Sequence, residues 1–271
     1  FAITAVLTMD VDAGRGTLTV TSGVGAAAVV TPLGTLDVAA RTATPLTSGA
    51  AIAGTQSEPF ATQLFELTPS AGPALILATA TTADKNANSR LIILPASGKL
   101  ADRLTITGSF ASIPETPGKL YGIYFDNTGA SGYSYSVTGS STTLTPVVEV
   151  ASNDTGAAAQ QLTLPGMLST ASLSALTDVD VIKFTVTAAD VGKSVRVATS
   201  GTDPLTDTVV EVFTNLALTT SLGGPSDDLG FHENHLSTAI PAGTTTVFVK
   251  VTASSFFDIA HKDYGAAVVL E

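Results

Sequence analysis

Two carboxylates stand two residues apart in the sequence Asp178-Val-Asp-Val-Ile-Lys-Phe-Thr-Val. From Asp180 onward, Ile182, Phe184 and Val186 alternate with a second set of residues, and this period of two predicts a half-buried strand. Asp178 and Asp180 then lean to the same side at the beginning of that strand. Because two anions repel at this distance, the pair requires a cation or hydrogen-bond donors between its members.

The composition predicts the fold class that must position this pair. The chain has 271 residues, of which 44% are hydrophobic and only 13% are charged. This length is enough for two domains of roughly 100–150 residues, each with its own core. Thr and Val favour strands, Gly favours turns, and no long helical pattern of Leu, Glu and Lys occurs. We therefore expect an all-β protein with a neutral, hydroxyl-rich surface.

Charge and residue types argue against several classes of function. The net charge of −11 opposes phosphate binding, so we expect no nucleic-acid partner. The absence of Cys excludes disulfides and thiolate metal sites, and the sequence contains no Gly-x-Ser-x-Gly motif. No apolar run approaches ~18 residues, so we expect no membrane span. The chain begins at Phe1 without a signal peptide, which we interpret as a processed or truncated exported protein.

The first 34 residues form an extension with its own strand pattern. Alternation over Ala2–Met9 and Thr17–Thr21, with a Gly-containing segment 10–16 between them, predicts a β-hairpin. Such a hairpin covers the edge of its own domain or lends a strand to a neighbouring molecule. Both alternatives are compatible with the sequence.

Residues 35–139 and 147–271 are interpreted as two copies of one unit, joined by a polar, extended linker at 140–146. Phe184 aligns with Phe65, and each copy ends in an alternating strand that contains Tyr. Short strands at regular spacing, separated by Gly, Pro and Asp, predict a sandwich or jelly roll in each copy. The expected fold is therefore two tandem β-sandwich domains, preceded by an N-terminal β-hairpin or strand.

The second copy resembles the bacterial pre-peptidase C-terminal domain, a small β-sandwich appended to many secreted proteases. The resemblance covers 147–271, and the first copy is similar only in its hydrophobic spacing and its Tyr strands. The matching motifs are Asn153-Asp154-Thr155, Ala157–Ala159, Asp178-Val-Asp180 with Phe184, Asp207-Thr208, Asp227-Asp228, Pro241-Ala-Gly-Thr244 and Tyr264.

A calcium site is implied by this resemblance, because some family members bind calcium at the opening segment and the Asp-x-Asp strand. The residues carried over are Glu149, Asn153, Asp154, Asp178 and Asp180. Oxygen ligands of these types suit calcium, although Ala151 replaces an acidic residue that some members have. The alternative is that these groups cap turns by bonding backbone amides. In the first copy Pro59 and Ala61 stand at the positions of the two aspartates, so calcium is expected in the second copy only.

Two further groups of residues have side chains that could form a site. The sequence Phe231-His-Glu-Asn-His235 could hold zinc through His232 and His235, but it lacks the helical spacing of a metalloprotease and is interpreted as a solvated loop. The third histidine is His261. A strip of Tyr side chains could bind a ligand, but cross-strand packing is the more common role of such residues. The strip would consist of Tyr121, Tyr124, Tyr133 and Tyr135.

Taken together, the sequence predicts a non-catalytic structural or adhesive protein, located extracellularly or at the cell surface. We expect a homo-oligomer or polymer, such as a surface layer or filament, in which the N-terminal strand contributes to assembly. The alternative is a calcium-tuned appendage of a secreted hydrolase that binds an extracellular protein, such as collagen, or a polysaccharide.

Overall fold

The fold is described from a computed structural model. It describes residues 14–22, 29–38, 43–57, 63–67, 73–82, 89–94, 105–107, 109–112, 120–126, 131–150, 152–200, 206–227, 233–254 and 262–271. Over these ranges the regular structure consists of β-strands and one short 3₁₀ helix, Ala188–Asp190. The predicted all-β class is confirmed. No helix within these ranges has the length and apolar character needed to cross a bilayer.

Eleven strands precede residue 144. They are β1 (Gly14–Ser22), β2 (Val29–Val38), β3 (Thr44–Leu46), β4 (Ala51–Gln56), β5 (Gln63–Leu67), β6 (Ala74–Thr82), β7 (Ser89–Leu94), β8 (Thr105–Thr107), β9 (Ser109–Ser112), β10 (Leu120–Asp126) and β11 (Tyr133–Thr143).

Ten strands follow. They are β12 (Thr145–Val148), β13 (Gln160–Gln161), β14 (Gly166–Ser172), β15 (Val179–Thr185), β16 (Ser194–Ser200), β17 (Thr208–Phe213), β18 (Ser221–Ser226), β19 (Asn234–Ala239), β20 (Thr246–Ala253) and β21 (Asp263–Leu270).

The strand order of the sheets is the same in both halves of the chain. A five-stranded sheet of order β3-β5-β10-β7-β8 corresponds, strand for strand, to β13-β15-β20-β17-β18. The order β4-β11-β6-β9 likewise corresponds to β14-β21-β16-β19, to which β12 adds an edge strand. In both halves the first strand of the five-stranded sheet is parallel to its neighbour. This recurrence is what an internal duplication would produce, and it pairs Phe65 in β5 with Phe184 in β15.

Strands β1 and β2 form a separate two-stranded antiparallel sheet. The structure therefore has a hairpin in this region, but residues 17–21 pair with β2, the segment that follows them, and not with the predicted strand before them. Residues 2–9, the first predicted strand, lie outside the described residues. The predicted Gly-containing turn is wrong at Gly14 and Gly16, which belong to β1 because the partner strand continues far enough to pair with them, Gly14 with Val38 and Gly16 with Leu36.

Two compact units divide the chain. Unit 1 comprises Phe1–Thr68, Thr79–Gly108 and Lys119–Thr138, and unit 2 comprises Pro69–Ala78, Ser109–Gly118 and Gly139–Glu271. Unit 2 thus takes in segments 69–78 and 109–118, which the sequence assigns to the first copy.

An apolar cluster within unit 2 explains why it includes residues from the first copy. Leu75 is fully buried with Leu144, Met167, Ala198 and Ala267. The predicted linker 140–146 is divided between the end of β11 and the beginning of β12. Leu144, the single residue between these strands, is only 4% exposed, so the polar segment is anchored by one apolar side chain.

The core of unit 2 lies between its two five-stranded sheets. One large cluster contains the inward side chains of both sheets, including Ile182, Phe184 and Val186, which the alternation predicted to share a face. The opposite face of β15 is not fully exposed, because Val181 packs with Phe248 in a second, smaller cluster. The half-buried strand of the prediction is therefore buried on both faces at its centre, whereas Thr185 is exposed at its end.

Candidate functional site

Asp180 occupies a buried position on β15 and contacts the neighbouring sheet of unit 2. Its side chain is 3% exposed, and its Oδ2 atom accepts a hydrogen bond of 2.6 Å from the hydroxyl of Tyr264 on β21. The ring of Tyr264 belongs to the main core, so the hydroxyl links the core to the carboxylate. Burial, together with the charge of Asp180, raises the pKa of Tyr264 well above its ordinary value, so this tyrosine remains a donor.

Glu149 follows β12 and forms a hydrogen-bonded carboxyl pair with Asp180. Its Oε2 atom accepts a hydrogen bond of 3.0 Å from the backbone amide of Ser172. Burial, the hydrogen bond with Asp180 and the charge of Asp180 raise the pKa of Glu149 to about 8. Burial also raises the pKa of Asp180, against the opposing effect of hydrogen bonds from Glu149 and Tyr264. At neutral pH the pair therefore retains a proton, with the Glu149 acid as donor and the Asp180 carboxylate as acceptor.

Asp178 caps the turn that leads into β15. Its carboxylate accepts hydrogen bonds from the backbone amides of Ser174 and Val179, at 2.5 and 2.9 Å. Burial raises the pKa of Asp178, but a hydrogen bond from the Ser174 side chain and these two backbone hydrogen bonds outweigh that effect and leave the pKa below its ordinary value. The capping role that the sequence left as an alternative is therefore what Asp178 performs.

Asn153 and Asp154 differ in their relation to the cluster. The backbone carbonyl of Asn153 accepts a hydrogen bond of 3.0 Å from Val181, which places this residue beside β15. Its side chain is 2% exposed and lies near enough to Asp180 to oppose the rise in that pKa, yet its Nδ2 atom makes no well-formed hydrogen bond to a described group. Asp154 is exposed. The structure thus gathers Glu149, Asp178 and Asp180, with Asn153 alongside them, and leaves Asp154 at the surface.

The residues present fit the calcium ion that the family resemblance implies. They offer carboxylate and amide oxygens, and the carboxyl pair keeps a proton that a divalent cation could replace. Asn153, which is buried beside Asp180, could contribute only its side-chain oxygen, because its amide nitrogen is a hydrogen-bond donor and does not bind a cation. Glu149, Asp180 and Asn153 would hold the ion, which would neutralise the paired carboxylates.

A second acidic cluster lies at another place in unit 2. Among the described residues, Asp207, Asp227 and Glu233 are the group of three acidic side chains whose ligand atoms all lie within 4.8 Å of one another. Asp207 is 6% exposed and Glu233 is completely buried, whereas Asp227 is exposed. Burial raises the pKa of Asp207, the nearby hydroxyl of Ser254 opposes this effect, and the charge of Asp227 adds to it.

Sequence reasoning named these three residues without bringing them together. Asp207 and Asp227 appeared as family motifs, and Glu233 appeared between two histidines of a supposed loop. In the structure each acid stands at the end of a strand, and the interpretation of residues 231–235 as a loop concealed this for Glu233. Asp207 precedes β17, Asp227 follows β18 and Glu233 precedes β19.

The structure places the side chains of one of the three histidines and two of the four tyrosines that the sequence suggested as binding residues. His235 lies in β19 and is half-buried, with its imidazole close to the backbone of Gly223, so at this position the solvated-loop interpretation is wrong. His232 and His261 lie outside the described residues. Tyr133 and Tyr135 are buried at 7% and 6% exposure, so at these two positions cross-strand packing is confirmed in preference to a binding strip. The side chains of Tyr121 and Tyr124 lie outside the described part of the structure. The ring of Tyr135 covers Gly54 on the adjacent strand β4.

Comparisons with known proteins give only distant likenesses. No family model and no curated protein matches the chain. The similar solved structures include a Parabacteroides distasonis protein provisionally described as secreted, with 11% identity, a TM-score of 0.23, and coverage of 97% of this chain and 90% of that one. The ANX2 ectodomain of Arabidopsis thaliana has 10% identity and a TM-score of 0.25, with 83% and 88% coverage.

A third likeness is to the M60 catalytic domain with two CBM51 domains of Clostridium perfringens ZmpB. It has 7% identity and a TM-score of 0.22, and it covers 100% of this chain and 43% of that one. Likenesses at this level carry no argument about function. The resemblance to the pre-peptidase C-terminal domain has no match among these comparisons and stays a prediction.

Proposed function

We propose that this chain is a non-catalytic structural or adhesive protein of the extracellular space or cell surface, and that its copies associate through the hairpin of β1 and β2. The observation that supports the proposal is the size of that sheet, which consists of two strands and has no third strand in the described part of the chain. An isolated two-stranded hairpin is marginally stable in water. A second copy would supply the missing neighbour.

The backbone of the hairpin supports association by strand addition. Nine residues of each strand pair with the other, so each strand has one edge without a partner in this sheet. Such edges are templates for pairing with another chain. The sequence of β1 alternates Thr17, Thr19 and Thr21 with Leu18 and Val20, as expected of a strand with one apolar face.

A non-catalytic role is supported by the chemistry of the acidic clusters. Asp180 bonds to a core tyrosine, and Asp178 bonds to backbone amides of its own turn. The hydrogen bonds of these two carboxylates stabilise the fold, with Asp180 linking two sheets and Asp178 capping a turn. The low charge and the hydroxyl-rich composition support an extracellular or surface location.

Size-exclusion chromatography with light scattering, followed by electron microscopy, tests the proposal. The full chain is expected to form oligomers or filaments. Leu18→Lys with Val20→Lys is expected to disperse them, because burying two lysines in an assembly interface is costly. The matched control, Thr17→Lys with Thr19→Lys, adds the same charge to the same strand and should retain assembly. A wild-type chain that stays monomeric at high concentration rejects the proposal.

The alternative function, a calcium-tuned substrate-binding appendage, is favoured by one observation, the proton-sharing pair of Glu149 and Asp180. A pulldown on insoluble collagen and on polysaccharide, with and without chelator, separates the two functions. Retention that chelator abolishes would support the appendage, and the absence of retention in every condition would reject it.

A further inference from the structure

The cluster of Asp207, Asp227 and Glu233 lies where the two sheets of unit 2 approach each other. Asp207 immediately precedes β17 and Asp227 immediately follows β18, and these strands are neighbours in one sheet. Glu233 immediately precedes β19, which is an edge strand of the other sheet. A ligand shared by the three carboxylates would therefore connect both sheets.

The burial of this cluster demands a compensating group. Asp207 and Glu233 are 6% and 0% exposed, yet their carboxylate oxygens and that of Asp227 all lie within 4.8 Å of one another. Carboxylates removed from water are strongly destabilised unless they are paired, protonated or bound to a metal. Their mutual repulsion adds to this cost.

Hydroxyl groups satisfy part of the cluster but not all of it. Ser226 donates a hydrogen bond of 3.0 Å to Oε2 of Glu233, and Ser254 donates a longer one of 3.4 Å to Oδ1 of Asp227. The Oδ1 atom of Asp207 is buried, and no described group donates a hydrogen bond to it. A buried carboxylate oxygen without a donor, on a side chain that belongs to a group of three acids, is a feature that a bound cation explains.

We propose that Asp207, Asp227 and Glu233 together bind one calcium ion, which braces the two sheets of unit 2. The site is separate from the one that the family resemblance implies at Glu149 and Asp180. All of its ligands are oxygens, which suits a hard divalent cation, and calcium accepts the irregular geometry of ligands from three strand ends more readily than magnesium. Asp227 is exposed and gives the ion a path from solvent.

The backbone around the site is fixed before any ion binds. The amide of Glu233 donates to Oγ1 of Thr199 at 2.8 Å, and the amide of Thr199 donates to the carbonyl of Glu233 at 3.0 Å. The amide of Ser254 donates to the carbonyl of Asp207 at 3.2 Å. Two of the three ligands are therefore held by neighbouring strands, which reduces the ordering that binding requires.

Calcium titration of the full chain tests this site. The protein is stripped with chelator, transferred to chelator-free buffer and titrated with CaCl₂ by isothermal calorimetry, and its melting temperature is measured in parallel. Calcium should bind and raise the melting temperature of the wild type. Asp227→Asn, at an exposed position, should weaken binding by roughly tenfold or more, because it removes ligand charge. Asp207→Asn and Glu233→Gln should remove the part of the rise in melting temperature that Glu149→Gln retains.

The matched control is Glu149→Gln, which alters the other acidic cluster and should leave this calcium response in place. Folding of each variant is checked by circular dichroism, and Asp227→Asn keeps the test decisive if a buried substitution prevents folding. A wild type without calcium response would overturn the site, as would an Asp227→Asn variant that binds calcium as the wild type does. A response lost only in Glu149→Gln would also overturn it, and an equal rise with MgCl₂ would reject the assignment to calcium.

Discussion

Replacing Glu149 by Gln should remove a pH dependence of stability from the metal-free protein. The pKa of Glu149 rises from 4.5 to about 8 on folding, because of burial and the hydrogen bond with Asp180. Folded protein therefore holds this proton more tightly than unfolded protein between these pH values. Its contribution to stability is fully present below pH 4.5 and is lost as the pH rises through about 8.

The size of this effect follows from the pKa change and the exposure of the group. At about 1.4 kcal/mol per pKa unit, the full change would correspond to about 5 kcal/mol. Glu149 is only half-buried and shares its proton with Asp180, so solvent screening reduces the expected loss between pH 5 and pH 8 to about 1–2 kcal/mol. The side-chain amide that the substitution introduces would donate to Asp180 as the protonated acid does, but without titrating.

Urea denaturation at pH 5, 6, 7 and 8, with chelator present, measures this contribution. The free energy of unfolding of the wild type should fall by about 1–2 kcal/mol relative to Glu149→Gln over this range. Asp154→Asn, a charge-neutralising change at an exposed neighbouring acid, should follow the wild type. Parallel curves for wild type and Glu149→Gln would refute the shared proton, because the remaining titrating groups are common to both proteins.

Two further changes probe the packing of the sandwiches. Tyr264→Phe removes the hydrogen bond to Asp180 and should lower the free energy of unfolding by about 2–3 kcal/mol, because a buried charged acceptor loses its donor. Urea denaturation measures this loss, and Tyr133→Phe, at a buried tyrosine of the equivalent strand, serves as the comparison. Equal losses in the two variants would argue against a special role for Tyr264. Gly54→Ala places a methyl group on the ring of Tyr135 and should cost about 1–3 kcal/mol, seen as a lower melting temperature. Ala53→Ser, at the exposed neighbouring position, should have little effect, and an unchanged melting temperature for Gly54→Ala would contradict the close contact.

Strands with a clear apolar alternation were predictable from sequence. The pattern from Asp180 to Val186 predicted a strand, and β15 spans Val179–Thr185. The same pattern predicted one polar face, but Val181 is fully buried against Phe248. Local alternation of polar and apolar residues predicts which side chains share a face of the strand. It does not predict that residues distant in sequence, such as Ala159, pack on the outer face and bury it, because this depends on the tertiary fold.

The boundaries between elements were harder to predict where polar residues form strands. The segment 140–146 was interpreted as a linker because it consists mainly of Ser and Thr, yet β11 continues to Thr143 and β12 includes Pro146. Thr favours extended backbone, and Pro is tolerated in β12 because this strand lies at the edge of its sheet. Composition alone did not distinguish an extended linker from an edge strand.

The acidic clusters depend on contacts between residues that are distant in sequence, which local sequence patterns do not predict. Asp178 and Asp180 were found through their spacing, and Glu149 only through the family resemblance. The partnership of Asp180 with Tyr264 joins residues 84 positions apart, and no local signal encodes it. The cluster of Asp207, Asp227 and Glu233 likewise depends on which strand ends meet, which is a property of sheet topology.

The position of β21 has a consequence for biogenesis. This strand lies between β14 and β16 in its sheet, and β20 lies between β15 and β17 in the other. The middle of each sheet is therefore the part of unit 2 that a ribosome or a secretion channel releases latest. Until residues 263–270 emerge, β14 and β16 have no common neighbour, and the nascent unit cannot close. Until then the unpaired edges of β14 and β16 are open to pairing with other incomplete copies, so contact between unfinished chains is the hazard of this strand order.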